Sequence, residues 1–366
     1  MRVMRSAAWP GAVAAICVGL AACGSATSSS GSTSTFSSSG GTVAAVSKNV
    51  SFVVDGTTTY GTLDVPAHSS GQHLAAALII AGSGPTDRNG NQAGFTPDNL
   101  RLIANVLASQ GIMSLRFDKY FSGQTGAGAL ASDPGSATVN TFLRQDDAAY
   151  AFLHSQPETD TSKMLVVGHS EGGMYAMLVA ESVSPPPAGL ALIEPQDQRF
   201  LSLLQIQLDE QLNAAVAQFT MTATTAKQYA TQISGAISEF RAGQQVSQAG
   251  LSPLVVQALA AELFTPVNVT YVRADDAIYP PSLAAKVPGG TRVLVTDGTA
   301  DTNIPPTTIG PLVQGLKSAG TTGPGLVMIQ GIDHDLFLSP STSGSALDPG
   351  VVSAITTWAQ PYASTP

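Results

Sequence analysis

Cysteine is almost absent: the 366 residues contain Cys17 and Cys23 and no others. A disulfide framework or a cysteine-rich metal site is therefore excluded. Basic residues are scarce as well, 16 Lys and Arg against 25 Asp and Glu, for a formal charge of -9. With no cluster of Lys or Arg to neutralise phosphates, nucleic acid is excluded as a partner. The five histidines form neither an H-E-x-x-H stretch nor a cluster with cysteine, so no metal is expected. The G-x-G at 82–84 continues as Pro85-Thr86-Asp87, without the third glycine or the helix start of a dinucleotide fingerprint. No phosphate loop occurs either, and no cofactor is implied.

What is present is ample apolar material, 43% hydrophobic against 11% charged residues. At this length one large domain plus an insertion is the expectation. The first residues are not part of it. Arg2 and Arg5 precede a short apolar run, roughly Ala12 to Ala22, too short for a spanning helix of about 20 residues. That run ends in Leu20-Ala21-Ala22-Cys23-Gly24, which resembles the bacterial lipobox, where the cysteine becomes the lipidated first residue of the mature protein. The alternative is an ordinary export signal with a small-residue cleavage site. On the lipoprotein reading 1–22 is the signal peptide, and 23–45 is the lipidated cysteine with a tether. Residues 24–42 are nearly all Ser, Thr and Gly, a composition that buries nothing and stays flexible. Such a protein is exported and held to the cell membrane through Cys23, facing away from the cytoplasm.

From residue 46 onward strands and helices alternate. "VSFVVDGTTTYGTLDVP" (50–66) reads as a hairpin turning at Asp55-Gly56. "LAAALIIAG" (74–82) is a continuous apolar run of the kind covered on both faces. "NLRLIANVLASQG" (99–111) has helical spacing and stops at glycine, "IMSLRF" (112–117) is a strand, and "FLRQDDAAYAFLHSQ" (142–156) a helix. Further strands are expected at 164–168, 189–195, 292–298 and 326–331. The pattern predicts an α/β fold with a mostly parallel central sheet and helices on both faces. It is interrupted once, by a helical stretch rich in Ala and Gln. The expected division is a core over 46–195, a helical insertion over 196–270 and a core over 271–366. The insertion is either a cap over the site or an added structural layer.

"LVVGHSEGGMYA" (165–176) places Gly168-His169-Ser170-Glu171-Gly172 between a strand and a helix. A G-x-S-x-G in that context raises a nucleophile on a sharp turn whose neighbours must lack side chains. The amide of Glu171 and the helix dipole then lie where negative charge would develop. A serine needs a base, and four histidines, His68, His73, His154 and His169, precede Ser170. His334 alone follows it, just past the last expected strand. Asp301, in "VLVTDGTADTNIP", supplies an orienting carboxylate, with Glu194 as the second candidate. The order Ser170, Asp301, His334 is that of an α/β-hydrolase triad. Asp297, Asp333 and Asp335 are assigned to solvated or turn-forming positions.

The whole layout over about 50–360 resembles the α/β-hydrolase fold. "AGSGPTDRNGN" (81–91) is similar to the loop of a bacterial branch of esterases or serine aminopeptidase-like hydrolases, in which a GSGP-x-DR stretch follows the third strand. "RFDKY" (116–120) resembles that branch's R-F-D-K-R, and "GTADTNIP" its acid loop. The resemblance implies an oxyanion hole made by the amides of Ser83 and Glu171. Where the branch reads D-K-R-G, this chain has Asp118-Lys119-Tyr120-Phe121, which implies a different pocket wall. Substrate contacts are open at Tyr120, at Glu194, and at Asp87 and Arg88, whose other reading is an internal salt bridge or turn cap stiffening the loop. The activity implied is hydrolysis of a small carboxylic ester through an acyl-enzyme on Ser170. An amidase or aminopeptidase, an acyltransferase, or a silent surface-binding lipoprotein are the alternatives. The anchor has its own consequence: wild-type protein should partition with membranes or detergent, and Cys23→Ser should release it. Fractionation that finds soluble wild type with an unmodified Cys23 would refute the lipid anchor.

Overall fold

The computed structural model describes residues 41–341 and 343–364. The signal segment, Cys23 and the tether as far as residue 40 lie outside the described residues. The tether's end is already tied down, because Thr42–Val43 pairs antiparallel with His68–Ser69.

The body is an eight-stranded sheet. Its strands are β1 (Val46–Val54), β2 (Thr57–Val65), β3 (Leu74–Ile80), β4 (Met113–Phe117), β5 (Thr159–His169), β6 (Gly189–Ile193), β7 (Arg292–Gly298) and β8 (Thr322–Ile329). Their order across the sheet is β1-β2-β4-β3-β5-β6-β7-β8. β2 runs antiparallel to both its neighbours, and the pairs from β4 to β8 are parallel. The β1–β2 turn puts Asp55 at φ 48° and Gly56 at φ 77°, two left-handed residues that match the twist of a two-residue hairpin.

The central strands are apolar on both sides because both sides are covered. Along β3, Leu74, Ala76, Leu78 and Ile80 enter one core while Ala75, Ala77 and Ile79 enter the other. β5 splits the same way, with Met164 and Val166 on one face and Leu165 and Val167 on the other. The first face is covered by α2 (Val139–His154) and α3 (Glu171–Ser182). The second is covered by α1 (Asn99–Ser109) and, from the chain's end, the helix Pro349–Ala359 with its fully buried Trp358. The alternation of side chains every second residue fixes this division.

Several boundaries differ from the sequence reading, and two have a local cause; β5, for instance, begins at Thr159 rather than 164. α2 begins three residues early, because Thr138 and Thr141 form a reciprocal capping box. β8 begins at Thr322 rather than 326, since Gly323 (φ 100°) and Gly325 (φ 66°) let the strand bulge and continue instead of turning.

Between β6 and β7 the chain forms α4 (Phe200–Ala217), α5 (Ala223–Arg241), α6 (Pro253–Leu263), α7 (Pro266–Asp276) and the short α8 (Pro280–Ala284). α4 to α7 bury a core of their own. Leu201, Leu204, Leu208 and Leu212 of α4 recur at helical spacing and meet Ile233, Ile237 and Phe240 of α5. The helical stretch runs on to Ala284, past the expected limit at 270. Among the described residues no single helix is long and apolar enough to cross a membrane.

Candidate active site

Five loops leave the carboxyl ends of the parallel strands β3, β5, β6, β7 and β8 on one edge of the sheet, where α/β folds place their ligands. Ser170 stands on the turn from β5 to α3 with φ 58° and ψ -127°, a conformation that L-residues avoid at a cost of about 1–3 kcal/mol. The surroundings hold it there. Its N–H donates to the Ile193 carbonyl at 2.9 Å, and its carbonyl accepts from the N–H groups of Gly173 (2.9 Å) and Gln196 (3.0 Å). A Cβ on Gly168 would lie 2.0 Å from the Gly172 carbonyl oxygen, and one on Gly172 would lie 2.4 Å from that of Ile80. The glycines are thus required by close backbone approach.

His334 Nε2 lies 2.9 Å from Ser170 Oγ, and His334 Nδ1 lies 2.7 Å from Asp301 Oδ2. The Asp301 side chain is fully buried, and its other oxygen accepts from the N–H groups of Asn303 (2.7 Å) and Ile304 (2.9 Å). The acid loop and the histidine loop are joined by backbone bonds, Thr299 N–H to Ile329 and Ala300 N–H to Ile332, both 3.0 Å. Asp333 Oδ1 accepts from the N–H groups of Asp335 and Phe337 and so shapes the turn that carries His334. Burial presses the imidazole pKa down, but the Asp301 carboxylate, aided by Asp335, outweighs it, and the net shift is upward. His169, seven per cent exposed, donates from Nε2 to the His334 carbonyl at 2.8 Å; burial holds its pKa near about 4 and keeps the ring neutral.

The backbone leading into Ser83 and that of Glu171 both adjoin the nucleophile. A Cβ on Gly82 would lie 2.9 Å from Ser170 Cβ, so the Gly82–Ser83 backbone passes directly against the serine. Glu171 opens α3, and its N–H has no carbonyl one turn earlier within the helix.

The other residues singled out from the sequence are distributed differently. Arg88 is internal: its Nε and Nη2 bind Asp118 Oδ1 (3.0 Å) and Oδ2 (2.6 Å), and Nη1 donates to the Gly61 carbonyl. Asp87 caps the same loop through the N–H groups of Asn89 and Asn91. Of the two readings left open for this pair, the stiffening one is formed, Arg88 by a salt bridge to Asp118 and Asp87 as a turn cap. Tyr120 lines a pocket beside the loop that follows β3, while its hydroxyl turns away to the Val54 carbonyl. Phe121 keeps a left-handed φ of 69° at the position where the similar branch has glycine, and its side chain lines the same pocket.

Glu194 is not brought to the pocket. It is 1% exposed, and its carboxyl accepts from the Gly298 N–H (2.6 Å) and Thr296 Oγ1 (3.1 Å), beneath the acid loop. Nor is Asp297 solvated, at 3% exposure. Burial, then the charge of Asp301, raises the carboxyl pKa of Glu194 to about 8 and that of Asp297 to about 7. Burial likewise raises Asp197 to about 6.

Sequence reasoning missed three participants: His169, Lys119 and Tyr271. His169 precedes the serine, and chain order therefore gives it no role. Lys119 stands inside the quoted "RFDKY", which was its only signal. Tyr271 comes from α7 and had none.

No family model matches the sequence, and no curated protein is similar to it in sequence. Solved structures do match in shape. Est1E from Butyrivibrio proteoclasticus, with ferulic acid bound, is 17% identical over 86% of this chain and 98% of that one, with a TM-score of 0.54. An esterase from Pyrococcus furiosus is 12% identical over 87% and 91%, with a TM-score of 0.53. The chain has the α/β-hydrolase fold.

Two outcomes follow from this geometry. Asp301→Asn should lower turnover by about 10³ to 10⁴, the order seen when a triad aspartate is lost. The acidic limb of its residual pH–rate profile should move to lower pH, because the charge that raises His334 is gone. Retention of most activity in folded Asp301→Asn would exclude Asp301 as the orienting acid. The second concerns stability. Glu194, Asp297 and Asp197 have folded pKa values above their unfolded ones, so the native state binds more protons between about pH 4 and 8. Their contribution is complete below pH 4 and is lost as pH rises through about 6 to 8. Urea titrations should show stability falling over that window, less steeply in Glu194→Gln; an unchanged slope would mean that Glu194 is already ionised.

Proposed function

We propose that the chain is a serine hydrolase that cleaves small carboxylic esters through an acyl-enzyme on Ser170. The observation that carries this is the bonded series Ser170 Oγ, His334 and Asp301, at 2.9 and 2.7 Å, on a serine whose backbone is held in a strained conformation. A buried series of this kind has a direct chemical use. His334 Nε2 takes the hydroxyl proton as Ser170 attacks the ester carbonyl, and Asp301 stabilises the imidazolium that forms. The amides of Ser83 and Glu171 receive the developing oxyanion. His334 then passes the proton to the leaving alkoxide. A water, activated by the same imidazole, releases the acid and restores Ser170. Each of these steps is a proton transfer or an acyl transfer.

The pocket beside the oxyanion loop favours an ester with a short apolar portion. Pro85, Tyr120, Phe121, Phe142 and Val267 supply its apolar walls. The helical insertion contributes Val267 and Tyr271 to that wall and holds the acid loop through Gln207 Nε2 to the Asn303 carbonyl. It therefore serves as a cap on this reading. Export and anchoring through Cys23 complete the proposal, supported by the lipobox-like stretch and by the Ser, Thr and Gly tether behind it.

The decisive experiment is covalent labelling with a fluorophosphonate, followed by p-nitrophenyl esters of two to eight acyl carbons and aminoacyl p-nitroanilides. The wild type should be labelled at Ser170, Ser170→Ala should not, and short esters should turn over faster than the anilides. Absence of label on folded wild type would favour a surface binding module. Strong anilide hydrolysis without esterase activity would turn the assignment to an amidase.

A further inference from the structure

Lys119 follows β4 and runs inward, with 13% of its side-chain surface exposed. An ammonium so enclosed is costly unless it is paired and hydrogen-bonded. Its partners are specific. Nζ donates to the Gly82 carbonyl, lies 3.7 Å from Glu171 Oε2, and sits 5.8 Å from the centre of the Phe142 ring. Glu171 is fixed in turn by Tyr271, whose hydroxyl donates to Oε1 at 2.6 Å and meets the Tyr175 hydroxyl at 2.9 Å. The carbonyl bound by Lys119 thus belongs to the peptide that precedes Ser83, and the carboxylate beside it belongs to Glu171. These are the two residues whose amides the hydrolase reading assigns to the oxyanion.

Gly82 C=O and Ser83 N–H are the two ends of one planar trans peptide and point in opposite directions. Whatever holds the carbonyl sets the direction of the N–H. A positive charge on the carbonyl oxygen also polarises the peptide and strengthens its N–H as a donor. The next carbonyl along, that of Ser83, is held separately by Gln92 Nε2 (3.0 Å) and Thr86 Oγ1 (2.8 Å). The Ser83 N–H lies between these two restraints, on backbone that passes against Ser170.

We propose that Lys119 is a positioning residue of the oxyanion hole, fixing the Gly82–Ser83 peptide against Ser170 and tying it through Glu171 to the second donor. The proposal rests on the hydrolase reading above. It differs from a structural ion pair in one respect: the energy of the Lys119 contacts is realised when the substrate carbonyl becomes an oxyanion. Loss of Lys119 therefore acts on turnover, not on ground-state binding.

The test uses the full chain and p-nitrophenyl butyrate, with a trifluoromethyl ketone as the probe, because its hemiketal on Ser170 carries the oxyanion. Removing an oxyanion donor outright costs about 10² to 10³ in kcat, and a misdirected donor belongs near the lower end. In Lys119→Met, which keeps the apolar stem, kcat should fall about 10²-fold. KM should stay within about twofold, and ketone affinity should fall by the same factor as kcat. A folded Lys119→Met with wild-type kcat, or one that loses kcat but not ketone affinity, overturns the proposal. Should Lys119→Met not fold, Glu171→Gln asks the same question, since it keeps the backbone N–H and removes the charge that holds Lys119. It should lose about tenfold in both kcat and ketone affinity at unchanged KM, and wild-type values would overturn the proposal. Wild type that is neither labelled at Ser170 nor active on esters overturns the hydrolase reading and this role with it. Labelled wild type beside an unimpaired Lys119→Met overturns the role of Lys119 alone.

Discussion

The backbone of Ser170 stands at φ 58° and ψ -127°, and much of the surrounding architecture exists to hold it there. A single residue in that conformation costs about as much as one or two hydrogen bonds contribute, so the chain must over-determine it. β6 does so from one side through Ile193, and the start of α3 from the other through Gly173. The glycines at 168 and 172 are the steric half of the same constraint, since a side chain at either would meet a backbone carbonyl. Gly172 lies against the carbonyl of Ile80, at the end of β3. The turn therefore fixes both the serine and the distance at which the loop after β3 crosses it.

A second constraint is electrostatic. The carboxyl ends of β6 and β7 carry Glu194, Asp197, Asp297 and Asp301 in a buried volume with one imidazole, His334, against Asp301. Four ionised carboxylates buried around one imidazole would be unstable. Burial and mutual repulsion raise Glu194, Asp297 and Asp197, whereas Asp301 accepts from two backbone N–H groups and faces the imidazole. Like charges crowded into one site separate into ionised and protonated members. Glu194 is then a hydrogen-bonded prop under the acid loop. The rival acid is excluded by position, because its carboxyl is spent on Gly298 and Thr296. Beside Ser170, Lys119 faces Glu171, so the next residue along the turn is paired with a buried cation.

Much of this was legible in the residues. The continuous apolar run of β3 announced a strand covered on both faces, because a parallel strand has no solvent side to encode. The G-x-S-x-G between strand and helix announced the turn, since few other uses require glycine on both sides of a serine there. The chain order of Asp301 and His334 followed from there being one histidine after Ser170. The β8 bulge was not legible, because Gly-Pro-Gly reads as a turn unless a neighbouring strand supplies its hydrogen bonds. Arg88 was undecided for a similar reason: a loop arginine is equally suited to a substrate or to Asp118 until the fold brings Asp118 30 residues away to 2.6 Å.

What the sequence determined by itself were properties carried by local order: strand and helix periods, the glycine-flanked serine, and the succession of strand ends on which the acid and the base are placed. Tertiary structure decided which long-range partners each polar group obtains. It sent Glu194 under the acid loop, His169 to the His334 carbonyl, and Lys119 to the Gly82 carbonyl. It also placed Phe121 in a glycine-like conformation, with its N–H bonded to the Gly126 carbonyl. The physical reason is range. Periodicity and steric exclusion act over a few residues and leave their mark in consecutive letters. The partner of a buried charge is set by the packing of strands and helices far apart in the chain.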